Sequence, residues 1–209
     1  SASASTSTPS RSTSLAALRG EYLATWDAAT IRSEKRASVE RVVDVLASHR
    51  DRYEAVSRAT GVPWYVIAAL HSLEGGGSSG RFTGHLHNGD SLNSRTSHVP
   101  AGRPVAPPSA GEGAAYTWEE SAADALARFR GWNDWSLPAV LWQLERYNGF
   151  GTRGHGLATP YLWSMTTAYE RGKYVRDGVW DPGAVSAQVG AAALFKVMES
   201  RGLISIPRG

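Results

Sequence analysis

The chain has 209 residues, 42% hydrophobic and 20% charged, with a formal net charge of +3 and no cysteine. That length suffices for a sizeable core, and the absence of cysteine excludes disulfides and thiolate chemistry. The net charge is modest and the basic residues are dispersed, so a nucleic-acid partner is not expected, and no run reaches the roughly 20 continuous apolar residues of a membrane span.

Residues 1–14, rich in Ser, Thr and Ala, predict a disordered tail, and residues 15–209 one folded domain. No basic-plus-apolar leader opens the chain, so a signal peptide is expected to be absent or already removed. Residues 15–60 predict helix: Leu15, Leu18, Tyr22, Trp26 and Ile31 form one apolar stripe, and Val42, Val43, Val45 and Leu46 another. Gly61-Val62-Pro63 ends one helix and starts the next, which runs from Trp64 to Glu74 and stops at Gly75-Gly76-Gly77.

Residues 75–115 are the least regular region, with hairpin-like pieces around Asn88-Gly89. A capping box at Thr117-Trp118-Glu119-Glu120 restarts the helices, which continue from about Ser136 to Tyr147, briefly at 161–169, and from Pro182 to Glu199. The fold expected is mainly α (α+β), with a small irregular or β-hairpin lobe.

Trp64, Ile67, His71 and Glu74 share one helical face. A carboxyl at the end of an apolar helix meets both burial and the negative end of the helix dipole, and both disfavour its ionised form. A glutamic acid kept protonated near neutral pH can act as a general acid on a glycosidic bond. The plainer reading is a helix-terminal Glu in solvent. Eight Trp and eight Tyr against four Phe add rings suited to stacking on sugars, although many such rings simply fill cores.

The order Glu74, Asp90, Thr96 resembles phage-type lysozymes, which place a catalytic Glu at a helix end, an Asp in a hairpin and a Thr six positions later. The Glu-to-Asp stretch is longer here. The run HLHNGDSLNSRTSHVPAGRP, with PYLWS and GKYVRDG downstream, is similar to bacterial and phage lysozyme-like proteins over roughly residues 60–200. That resemblance implies a two-lobed fold, with a cleft between the helical block and residues 75–115. It also implies a cofactor-free muramidase, in which Glu74 protonates the bridging oxygen between N-acetylmuramic acid and N-acetylglucosamine. Asp90 and Thr96 would handle the water.

Tyr147-Asn148-Gly149 looks like the Tyr-Asn element of lytic transglycosylases, although the Gly-Leu-Met-Gln type motif of those enzymes is missing. Tyr147, Asn148, Tyr161, Trp163 and His87 are the expected substrate-binding residues. The partner implied is the glycan strand of peptidoglycan, met by a monomeric protein secreted, periplasmic or phage-released. An immunity or inhibitor protein is a further partner if the chain is an antibacterial effector.

Two other classes compete. His71 with Glu74, and His85 with His87 and Asp90, offer residue types that bind zinc in cell-wall peptidases. A non-catalytic wall-binding module would need only the aromatics. The three glycines lack the Lys-Ser/Thr of a phosphate loop.

Overall fold

The computed structural model describes residues 7–209. Among them the chain is mainly α-helical with one small antiparallel sheet. The elements in order are α1 (Leu15–Ala28), α2 (Arg36–Ser48), α3 (Arg50–Thr60), α4 (Trp64–Glu74), α5 (Trp118–Leu126), α6 (Leu137–Asn148), α7 (Pro160–Trp163), β1 (Lys173–Arg176), β2 (Val179–Asp181) and α8 (Ala191–Ser200). They divide into two compact units, Ser1–Arg41 with Asp134–Gly209, and Val42–Asn133.

In the first unit, α1 buries Leu18, Tyr22 and Trp26, three of the five residues of its predicted stripe, and packs on α6. Ser14 caps α1 by accepting the Ala17 N–H. Composition predicts disorder through residue 14, yet the segment before α1 is tied down at several points. The Ser10 amide donates to Glu21 at 2.7 Å, Arg153 donates to the Ser10 carbonyl at 3.0 Å, and Trp142 Nε1 donates to the Thr13 carbonyl at 2.9 Å. Backbone groups, rather than apolar side chains, anchor it, which a composition rule does not register. Residues 1–6 of the predicted tail lie outside the described residues.

The helix predicted from Pro182 begins only at Ala191, and Val185, expected on its apolar side, is 59% exposed. Gly190 lies so close to the Leu162 carbonyl that a Cβ there would overlap it, and α8 starts directly beyond that contact. The only sheet among the described residues is a hairpin at 173–181, not in the 75–115 region where hairpin pieces are expected. Its register is Lys173↔Asp181, Tyr174↔Trp180 and Arg176↔Val179, with an irregularity between Tyr174 and Arg176. Asp177-Gly178 makes the turn, Gly178 at φ 70°. Trp180 stacks flat on His155 at 3.9 Å.

In the second unit, α3 closes at Gly61 in the left-handed conformation (φ 76°), as predicted from Gly61-Val62-Pro63. α4 then runs through the core: every residue from Trp64 to Leu73 is buried, and Glu74 alone is half-exposed. α5 carries the predicted capping box, with Thr117 Oγ1 accepting the Glu120 N–H and Glu120 accepting the Thr117 N–H. Between α4 and α5 the chain forms a short 3-10 turn and then a loop region whose sole β feature is the bridge Gly84↔Ser91.

Candidate functional site

The eight expected site residues fall four to each unit. Glu74, His87, Asp90 and Thr96 belong to the second; Tyr147, Asn148, Tyr161 and Trp163 belong to the first.

Glu74 is the last residue of α4, delivered by a helix that has no other exposed position. The glycines beyond it are packing residues rather than a loose exit. A Cβ on Gly77 would stand 2.7 Å from the His71 ring, and one on Gly75 3.1 Å from it. Gly76, at φ 85°, supplies the left-handed turn between them. Gly77→Ala is therefore expected to cost about 1–3 kcal/mol by overpacking. A urea midpoint equal to that of the parent chain would refute this.

His71 explains why the glycines wrap so closely. It is fully buried, its Nε2–H donates to the Arg81 carbonyl at 2.8 Å, and its Nδ1 accepts from the Tyr53 hydroxyl at 2.8 Å. Phe82 and Trp118 complete an aromatic cage, with ring centroids 4.4 and 4.8 Å from the imidazole. Burial pushes the His71 pKa down to about 4 and the Tyr53 hydroxyl well above its usual range. Between pH 4 and 6.5 the unfolded chain therefore holds a proton that the folded chain refuses, so stability is present above pH 6.5 and is lost as pH falls. The loss is about 3 kcal/mol across that window. Urea midpoints at pH 7 and pH 4.5 check it; equal midpoints would exclude a neutral buried His71.

The loop after α4 returns to the helix end. Gly89, at φ 82°, comes against the Glu74 carbonyl oxygen so closely that any Cβ would collide with it. The neighbouring Asp90 is the hub of its own loop. Its Oδ2 accepts from the Ser97 and His98 amides at 2.8 and 2.9 Å, and Oδ1 accepts from the His98 ring at 2.7 Å. Burial raises its pKa, but the hydrogen bonds from His98 and Ser97 outweigh that and hold the carboxyl well below its ordinary range. Asp90 is thus a firmly ionised, weakly basic carboxylate.

Thr96 does not fit the water-holding role that the lysozyme resemblance implies. It is 4% exposed; its hydroxyl donates to the Pro100 carbonyl at 2.5 Å and accepts from the Arg103 amide at 2.9 Å. Both are bonds of the loop itself, and they close residues 96–103 on one another.

His87 likewise belongs to the interior. Its Nε2–H donates to Asp124 at 2.6 Å, while Arg103 meets the same carboxylate oxygen at 2.9 Å. Burial outweighs Asp124 and lowers the His87 pKa, so a neutral imidazole faces a carboxylate balanced by Arg103. At 8% exposure the ring has almost no surface to offer a sugar. His85 has both ring nitrogens occupied, with Nδ1 bonded to Ser121 and Nε2 to the Ser94 carbonyl. The nitrogens of His71 and His85 that a zinc site needs are spent on hydrogen bonds, and among the described residues no three His, Asp or Glu side chains converge to hold a metal.

In the first unit, Asn148 and Tyr161 line one cavity of about 460 Å³, bounded on another side by β1. Tyr147 is half-buried at the end of α6. Trp163, expected as a sugar platform, is only 3% exposed and lines a different cavity of about 230 Å³, so it is a core ring. Tyr161, at 8% exposure, has little ring surface to offer a sugar.

Sequence reasoning missed a buried ion network in this unit. Arg153 donates to Glu145 at 2.8 Å and Glu21 at 2.5 Å, and the Tyr22 hydroxyl donates to Glu145 at 2.5 Å. Glu145 falls four residues after Leu141 and eight after Leu137, on the apolar stripe of α6, and that periodicity was the available signal. Asp124, one turn after Ser121 on α5, was missed because its partners come from a distant loop.

Comparison with models of protein families, with curated proteins and with solved structures finds no match.

Proposed function

We propose that this chain cleaves the glycan backbone of peptidoglycan as a muramidase, with Glu74 as general acid. The observation that carries this reading is the placement of Glu74: ten buried residues deliver one half-exposed carboxyl to the end of α4. The negative end of the helix dipole opposes charge there, which favours a proton-donating carboxyl. Glu74 would protonate the oxygen between N-acetylmuramic acid and N-acetylglucosamine as the bond to the leaving sugar breaks. The reaction needs no cofactor, and its setting would be the bacterial wall.

Asp90 supports the reading in a limited way. Its Oδ1 accepts one hydrogen bond and keeps an acceptor direction for a water, but its depressed pKa makes it an orienting group rather than a strong base. That weak basicity, with Thr96 committed to its loop, favours a second reading. In it, Glu74 alone serves as acid and then base, and the muramyl 6-hydroxyl closes an anhydro ring without added water.

Mass spectrometry of fragments released from purified peptidoglycan tests both. Reducing muropeptides support the muramidase, fragments lighter by one water support ring closure, and the release of peptides without glycan cleavage refutes both.

A further inference from the structure

The cavity lined by Asn148 and Tyr161 has a wall that none of the expected site residues accounts for. Lys173, Tyr174, Val175 and Arg176, all four residues of β1, line it, and no residue of β2 does. A space lined by every residue of β1 and by none of its hairpin partner lies on the side of β1 that faces away from β2. The sheet has two strands, and β2 occupies one edge of β1. The cavity runs along the other.

An open strand edge presents backbone N–H and C=O groups that pair with an extended peptide. The cavity, at about 460 Å³, is in the size range of ligand sites. Its remaining walls carry amides and hydroxyls, including Asn148 and Thr152. The charges on the rim are Lys173, Arg176 and Asp177, a surplus of one positive. Among the described residues neither Lys173 nor Arg176 is seen against a carboxylate, whereas Arg19, Arg103 and Arg153 are.

From this arrangement we infer that the free edge of β1 is a subsite for a short, extended peptide bearing free carboxylates, with Lys173 and Arg176 meeting the acidic groups. The identification of that peptide as the stem peptide of peptidoglycan rests on the muramidase reading; the site itself does not.

The test uses the full chain carrying Glu74→Gln, titrated by calorimetry with two probes. One is a stem tetrapeptide with free carboxylates; the other is the same peptide with its carboxylates amidated. The free-acid peptide is expected to bind about tenfold more tightly, and Lys173→Ala with Arg176→Ala is expected to remove the difference. Both residues lie on the hairpin, so an unchanged circular dichroism spectrum and urea midpoint show that the double variant is folded. Failure of the free-acid peptide to bind, equal binding of both probes, or binding indifferent to the double variant overturns the subsite. The muramidase reading fails on a different readout, the absence of glycan fragments from peptidoglycan treated with the parent chain. Each can therefore fall while the other stands.

Discussion

Glu74→Gln is expected to lower the release of glycan fragments about 10²- to 10⁴-fold while leaving the fold intact. The amide has the shape of the carboxyl but cannot donate a proton to a leaving oxygen. Glu74 is the one half-exposed residue of a helix whose other ten residues are buried, so the exchange removes the acid without opening the core. Its thermal midpoint should stay within a few degrees of the parent value. Asp90→Asn provides the contrast. Asp90 receives two backbone amides and an imidazole, so losing its charge weakens the 88–98 loop as well as any water it orients. A muramidase should then lose both stability and rate in Asp90→Asn, but rate alone in Glu74→Gln. If Glu74→Gln keeps a third or more of the parent rate, Glu74 is not the acid.

The second large effect concerns stability. Arg153→Met is expected to destabilise the chain by about 3–5 kcal/mol at neutral pH, read as a shift in urea midpoint. Arg153 is 4% exposed and neutralises Glu145, itself 1% exposed, so its removal strands a buried carboxylate. The Tyr22 hydroxyl, which also donates to Glu145, cannot take over the charge: burial, reinforced by Glu145, pushes its pKa far above the ordinary tyrosine range. Arg153 further binds Glu21 and the Ser10 carbonyl, so the segment before α1 should loosen as well. Proteolysis near Ser10 would report that. Replacing Glu145 and Arg153 together by apolar residues should recover much of the loss, because the cost lies in the unpaired charge. A loss under about 1 kcal/mol for Arg153→Met would mean that water already reaches the network.

Local chemistry made several elements readable from residue order alone. The left-handed stop at Gly61, the capping box at Thr117, the apolar stripe of α1 and the buried run ending at Glu74 each depend on neighbours within about one or two helical turns. Asp177-Gly178 was an equally local hairpin signal, and β1–β2 shows that it should have been read as one.

The candidate site was legible only as far as Glu74. The roles of Thr96, His71, His85 and His87 depend on Pro100, Arg103, Tyr53, Ser121 and Asp124, partners that residue order does not bring near. An imidazole or hydroxyl looks equally available for catalysis, metal binding or core hydrogen bonding until the other half of each bond is in place.

By itself, then, the sequence determined that this protein is mainly helical, where α3 stops and α5 begins, and which carboxyl ends the most apolar helix, because those properties follow from short-range periodicity and terminal hydrogen bonds. Only the tertiary structure decided that His71, His85 and His87 are interior, that Thr96 serves its loop, that Glu145 and Arg153 form a buried pair, and that β1 keeps an open edge. Those outcomes are set by which distant groups fill each donor and acceptor once water is excluded.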